Sequence, residues 1–154
     1  MPAYFFDASA LVKRFARERG SAFVLSLLRP SAKNRLYGAR VTEVEVCAAL
    51  ARRRKAKTIS ANQATKGLRR LRGDLTRRFT QIAINENVIV EASRLAETYA
   101  LRGYDAVQLA AAIEANKERV SNGLSLLVLV SADTELNDAA VAEGFSVEDP
   151  NKHP

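Results

Sequence analysis

The stretch Leu124–Asp133, LSLLVLVSAD, decides how the rest of the chain is read. Its first seven residues form the most hydrophobic run in the protein, rich in branched side chains. A run of that length fits a central strand covered on both faces. Strands buried on both sides belong to parallel sheets, and parallel sheets need helices as crossovers. Working outward, the chain supplies them. Ala3-Tyr4-Phe5-Phe6 reads as a buried strand ending at Asp7. Helical spacing follows over 8–19 up to Gly20, then over 21–28 up to Pro30. Residues 35–41, RLYGARV, read as a second strand, and Thr42 as the cap of a helix to about Lys55. Ser60 caps a helix to about Arg78, and 79–84 alternates like a strand. Asn85 caps a helix to about Leu101, and a very apolar helix runs from Ala106 to about Lys117. After 124–130 come a short helix over 134–143, Gly144 as its stop, and an edge strand over 145–147.

Strands alternating with helices predict one α/β domain, residues 1–149, with a mostly parallel, doubly wound sheet. Residues 150–154 read as a flexible polar tail. The length of 154 residues, with 47% hydrophobic and 27% charged side chains, is enough for one real core and excludes global disorder. The longest uncharged stretch, Val120 to Ala132, is 13 residues, too short to cross a bilayer. A cytoplasmic protein is the expectation.

Composition narrows the chemistry further. The single cysteine, Cys47, excludes an intrachain disulfide and a cysteine-based zinc site. The only histidine, His153, is the penultimate residue, which excludes His-ligated zinc and a Ser-His-Asp triad. What remains is carboxylates, hydroxyls, Lys/Arg, or a metal held by oxygen.

In doubly wound sheets, ligands bind beyond the carboxyl ends of the strands. Asp7 and Asp133 stand at two such ends. Asp105 opens the apolar helix, and three of the protein's six aspartates therefore sit at these junctions. Each taken singly is explained by helix capping. Glu43 and Glu45 both flank the apolar arc of the third helix, and periodicity does not choose between them. Carboxylates converging on one cleft repel one another unless protonated or bridged by a cation. Without His or Cys, an all-oxygen site is the chemistry of Mg²⁺ or Mn²⁺. Charge adds a partner. Between Arg52 and Arg78 lie eleven Lys/Arg and one acid, while the whole chain carries a formal charge of +7. Such a patch draws polyanions, nucleic acid first, unless it is only a solvated helix face.

Four segments in order, over almost the whole chain, resemble the PIN domain, and specifically the VapC family of toxin ribonucleases. YFFDASALVKRF (4–15) resembles the opening Asp-x-Ser-Ala-Leu motif. VTEVEVCAALARR (41–53) resembles the Glu-bearing helix. LRGYDAVQLAAA (101–112) resembles the Asp-Ala-x-x-Leu-Ala-x-Ala helix. LVLVSADTEL (127–136) resembles the strand followed by Thr/Ser-x-Asp.

The resemblance implies a three-layer α/β/α fold with a five-stranded parallel sheet. It implies Asp7, Glu45, Asp105 and Asp133 as the acidic quartet holding Mg²⁺ or Mn²⁺, and it favours Glu45 over Glu43. Ser9 and Ser131 would be the hydroxyls that orient the carboxylates. It implies an endoribonuclease, a homodimer, and a VapB-like antitoxin as partner. Arg52, Arg53, Arg69 and Arg70 become candidates for contact with RNA or antitoxin. Ser131 departs from the commoner Thr, and Ser121-Asn122-Gly123 marks a surface insertion.

Two rivals stand beside this reading. One is a PIN-like module that binds RNA or protein without cutting. The other is a phospho-receiver domain, which lacks support because Ala8 follows Asp7 and the last strand leads into Glu148 and Asp149. Tyr104, beside Asp105, could face the cleft, and Tyr37 could stack on a base or pack. Cys47 reads as a small buried hydrophobe.

Overall fold

The computed structural model describes residues 1–154. Five strands, β1 (Ala3–Phe6), β2 (Arg35–Ala39), β3 (Phe79–Ile82), β4 (Val128–Val130) and β5 (Ser146–Glu148), form one sheet in the order β3-β2-β1-β4-β5. Every neighbouring pair is parallel. The chain winds outward from β1 through β2 to β3, then returns to the other side of β1 for β4 and β5. The reversal falls between β1 and β4, where Phe5 lies opposite Leu129 and Phe6 opposite Val130.

Helices cover both faces, and strand pleating assigns the core residues to them. Phe5 and Leu129 point into one apolar layer with Val88, Leu95, Leu109 and Leu136. These residues come from α5 (Glu86–Tyr99), α6 (Gly103–Ser121) and α7 (Thr134–Ala142). Phe6 and Val130 point into the opposite layer with Leu11, Val24, Leu50 and Leu71. Those come from α1 (Ala8–Leu11), α2 (Ser21–Leu28), α3 (Thr42–Lys55) and α4 (Ala61–Arg77). Phe5 and Phe6 are fully buried, each contributing roughly 1.5–3 kcal/mol relative to exposure. Two covered faces make the three-layer α/β/α arrangement, and the sheet is wholly parallel rather than mostly so.

Element ends depart from expectation for identifiable reasons. The predicted strand 124–130 is paired only from Val128. Pairing with β1 begins at Tyr4 opposite Val128, and before it α6 side chains take the backbone. Arg119 Nε donates to the Ser125 carbonyl at 2.7 Å, and the Leu127 amide donates to Asn116 Oδ1 at 2.8 Å. The predicted helix 8–19 stops at Leu11 and continues as a 3-10 turn, Val12–Arg14. The chain then folds back around Lys13, a buried ammonium that needs acceptors for its three protons. Its Nζ donates to the Arg19 carbonyl at 2.8 Å, Asn151 Oδ1 at 2.9 Å and Glu18 Oε1 at 3.4 Å. Helix α6 extends beyond its predicted bounds at both ends, and β2 ends at Ala39 rather than Val41.

The residues read as a flexible tail are seated. Pro150–Lys152 form a 3-10 turn capped by Asp149, and Pro150 is buried. Gly20 has φ +84°, and a Cβ there would stand 2.4 Å from the Pro150 carbonyl oxygen, so this close approach requires glycine. His153 stacks on Phe23 with ring centroids 3.8 Å apart. Cys47 is half-buried rather than enclosed, packed against the α1–α4 layer.

Candidate active site

Asp7 leaves β1 at the switch point, and its amide donates to the Val130 carbonyl of β4 at 3.2 Å. Its side chain is 3% exposed. Oδ1 accepts from the Ala10 amide at 3.1 Å and caps α1. The Ser9 hydroxyl lies 2.7 and 2.9 Å from the two carboxylate oxygens and donates to them. Ser9 Oγ in turn accepts from the Ala132 amide at 2.9 Å, tying the end of β1 to the loop after β4. Ser131, fully buried, stands 3.4 Å from Ser9 and accepts from the Asp133 amide at 3.1 Å. Ser9 therefore acts on the Asp7 carboxylate directly, and Ser131 holds the backbone that carries Asp133 while also favouring the ionised form of Asp7.

Asp133 caps α7, accepting from the Leu136 amide through Oδ1 at 2.9 Å. Its Oδ2 lies 3.8 Å from Arg102, whose Nε lies 3.7 Å from Asp105 Oδ2. Capping and site-building are thus compatible: Asp7 and Asp133 each cap with Oδ1. Asp105 is in the first turn of α6 and makes no cap bond. Glu45 projects from the first turn of α3 and accepts from Gln108 Nε2 at 2.7 Å. Glu43, the alternative on the same turn, pairs with Arg72 of α4 at 3.2 Å.

The four acids act on one another in sequence. Burial pushes the Asp7 carboxyl up to about 7, against hydrogen bonds from Ser9, Ala10 and Ser131, and Glu45 adds repulsion. Burial also raises Glu45, opposed by the Gln108 bond and reinforced by Asp105. Burial raises Asp105, with Asp133 repelling it and Arg102 opposing the shift. Asp7, Glu45, Asp105 and Asp133 thus share one electrostatic neighbourhood.

As they lie, no three acidic, His or Cys side chains close round a single point. The donor set is nevertheless that of a hard cation: carboxylate and hydroxyl oxygens, with no sulfur or imidazole. Asp7 is buried with no cationic side chain bonded to it, a charge that a divalent ion would offset. Mg²⁺ keeps several waters and takes only one or two carboxylates directly, so the residues present fit such an ion.

Beside the acids opens a cleft of about 590 Å³, lined by Ser9, Glu45, Lys13, Glu18, Arg52, Arg53 and Tyr104 among others. Asp7, Asp105 and Asp133 are each next in sequence to a lining residue, Ala8, Tyr104 and Ala132. Arg52 is exposed at this cleft, and Arg53 pairs with Glu18 at 3.1 Å. Arg69 and Arg70 are exposed on α4 and do not line it. Tyr104 does line it, 56% exposed. Tyr37 instead packs, its hydroxyl accepting from Arg119 at 2.9 Å.

A family model described as the PIN domain matches residues 4–142. The chain belongs to the PIN domain family. Several solved structures share the PIN fold with it. The toxin–antitoxin complex from Klebsiella pneumoniae is 20% identical with a TM-score of 0.63, covering 96% of this chain and 97% of that one. PAE2754 from Pyrobaculum aerophilum is 21% identical with a TM-score of 0.66, covering 99% and 86%. VapBC2 from Rickettsia felis, bound to a DNA fragment from their promoter, is 14% identical with a TM-score of 0.62, covering 96% and 98%. Comparison with curated proteins gave no match. Within this PIN domain, sequence reasoning missed Gln108 and Arg102, and it read Thr42 as a helix cap, whereas Val41 holds the cap position and the Thr42 hydroxyl turns to Gln108. A lone glutamine in the apolar run 106–112 was the available signal for the first.

Proposed function

We propose that this PIN domain is a divalent-metal-dependent endoribonuclease, the toxin of a toxin–antitoxin pair of the VapBC kind. One observation carries the reading: Asp7 is buried at the switch point between β1 and β4 without a cationic partner, and charge repulsion links it through Glu45 and Asp105 to Asp133. Family membership supports a nuclease, and the likeness to toxin–antitoxin structures supports an antitoxin partner. The sequence's resemblance to the VapC family brings a homodimer into the proposal, and a cytoplasmic setting is proposed beside it.

Asp7 is the anchoring ligand, because a strand end and three hydrogen bonds fix it. Asp105 and Asp133, which now share Arg102 as a neighbour, would supply further carboxylate oxygens. Glu45 orients a water or a second ion from the α3 side. Bound Mg²⁺ or Mn²⁺ supplies a polarised phosphate and a water of lowered pKa. Arg52, exposed at the cleft, holds the polyanion backbone beside the acids. No histidine base or protein nucleophile is required.

Total RNA incubated with Mg²⁺ or Mn²⁺ and mapped at its new ends is the test. Cleavage is expected from the wild type, silence with EDTA, and silence from Asp7→Asn. Retained metal-dependent cleavage by Asp7→Asn overturns the assignment. A second reading, a PIN-like module that binds RNA or protein without cutting, is favoured by the lack of a ready-made three-acid cluster. RNA binding with no cleavage under any divalent ion would establish it.

A further inference from the structure

Helices α3 and α6 lie in opposite layers, and side-chain hydrogen bonds join their N-terminal parts through a polar group of four residues. On α3, Thr42 and Glu45 are three residues apart, and on α6, so are Asp105 and Gln108; each pair therefore shares a helix face. Thr42 is fully buried and Gln108 is 1% exposed. Gln108 Nε2 donates to Thr42 Oγ1 at 2.9 Å and to Glu45 Oε1 at 2.7 Å, which commits both of its protons. Its Oε1 is buried with no donor. The reverse amide orientation would aim that oxygen at a carboxylate, which only accepts. The bond to the Glu45 carboxyl therefore sets how the amide lies, and the amide sets where Glu45 lies.

We infer that Gln108, braced by Thr42, is a positioning residue that clamps Oε1 of Glu45 and leaves Oε2 as the oxygen this side chain offers to the metal site. The inference rests on the metal reading above and deepens it. Neither residue touches the ion. A clamp matters here because Asp105 and Asp7 repel Glu45, and an unheld glutamate, with three rotatable bonds, swings toward solvent in the open cleft. Outer partners of metal ligands are commonly worth 10–100-fold in metal affinity. A purely structural amide would behave differently. Its replacement by an apolar side chain of the same length would change folding stability and leave ion binding alone.

Mn²⁺ binding by calorimetry to the metal-free protein, with thermal melting beside it, separates these. Gln108→Met keeps the length and removes the amide. The expected result is Mn²⁺ affinity at least tenfold weaker than wild type, while the metal-free melting temperature reports separately the net of two lost hydrogen bonds and one removed unpartnered carbonyl. Should Gln108→Met fail to fold, Thr42→Val removes one hydroxyl and carries the same expectation, while Thr42→Ser keeps wild-type affinity. Wild-type affinity in folded Gln108→Met or Thr42→Val overturns the clamp alone. Absence of Mn²⁺ binding by the wild type overturns the metal reading and the clamp with it.

Discussion

Asp7 is a carboxylate placed where its charge is penalised, and that penalty is measurable. Burial holds its folded-state pKa at about 7, against about 3.9 for an unfolded aspartate. Between those values the folded state binds more protons than the unfolded one, so stability falls as pH rises from about 4 to about 7 and then levels. The loss is roughly 4 kcal/mol at most. Asp7→Asn removes the charge and keeps an acceptor for the Ala10 amide. In melts without metal, the variant is expected to outlast the wild type by a margin that grows from pH 4 to pH 8. Added Mn²⁺ raises the wild-type midpoint and leaves the variant's unchanged. A constant margin across pH would mean that Asp7 is solvated enough to need no ion. Ser9 belongs to the same balance, since its hydroxyl favours the ionised form.

The elements show which parts of the fold a sequence can carry locally. Ser60 was legible as a cap because the capping box is built from Ser60 and Gln63 alone. Asn85 and Asp133 cap in the same local way. The strand ends bearing Asp7 and Asp133 followed from apolar runs that stop at an acid. What was not legible depends on distant partners. Leu124–Leu127 look like a strand, but Arg119 and Asn116 of α6 take the backbone at Ser125 and Leu127. Gln108 gains meaning only against Thr42 and Glu45, more than sixty positions away. The C-terminal turn reads as polar and loose because its anchor, Lys13, lies 138 positions earlier. That anchor makes a prediction. Asn151→Ala leaves the buried Lys13 ammonium short of an acceptor and is expected to cost about 1–3 kcal/mol, read as a lower urea midpoint. Lys152→Ala, beside it and exposed, is expected to change nothing. Equal midpoints for both would mean that the turn merely rests on the domain.

At the scale of the molecule, charge and topology meet at one rim. The winding reverses between β1 and β4, and Arg52 of α3 lines the cleft that opens there. The basic stretch 52–78 divides in the structure: Arg52 and Arg53 face the cleft, while Arg69 and Arg70 project elsewhere from α4. For single-stranded RNA each lost phosphate contact lowers the salt slope of log affinity by about 0.7. The Arg52→Ala/Arg53→Ala double variant is expected to flatten that slope by about one contact or more. The Arg69→Ala/Arg70→Ala pair is expected to leave it unchanged. A reversed order would put RNA on α4 and leave the cleft cations to other work. The nuclease reading depends on whether the acids share an ion. Crystals soaked in Mn²⁺ and measured for anomalous scattering answer that directly. The expected result is a peak among the carboxylates of Asp7, Asp105 and Asp133 on the side facing Glu45, absent from Asp7→Asn crystals. A fully soaked crystal with no peak there, or with manganese bound only at other acids, contradicts the metal-dependent nuclease.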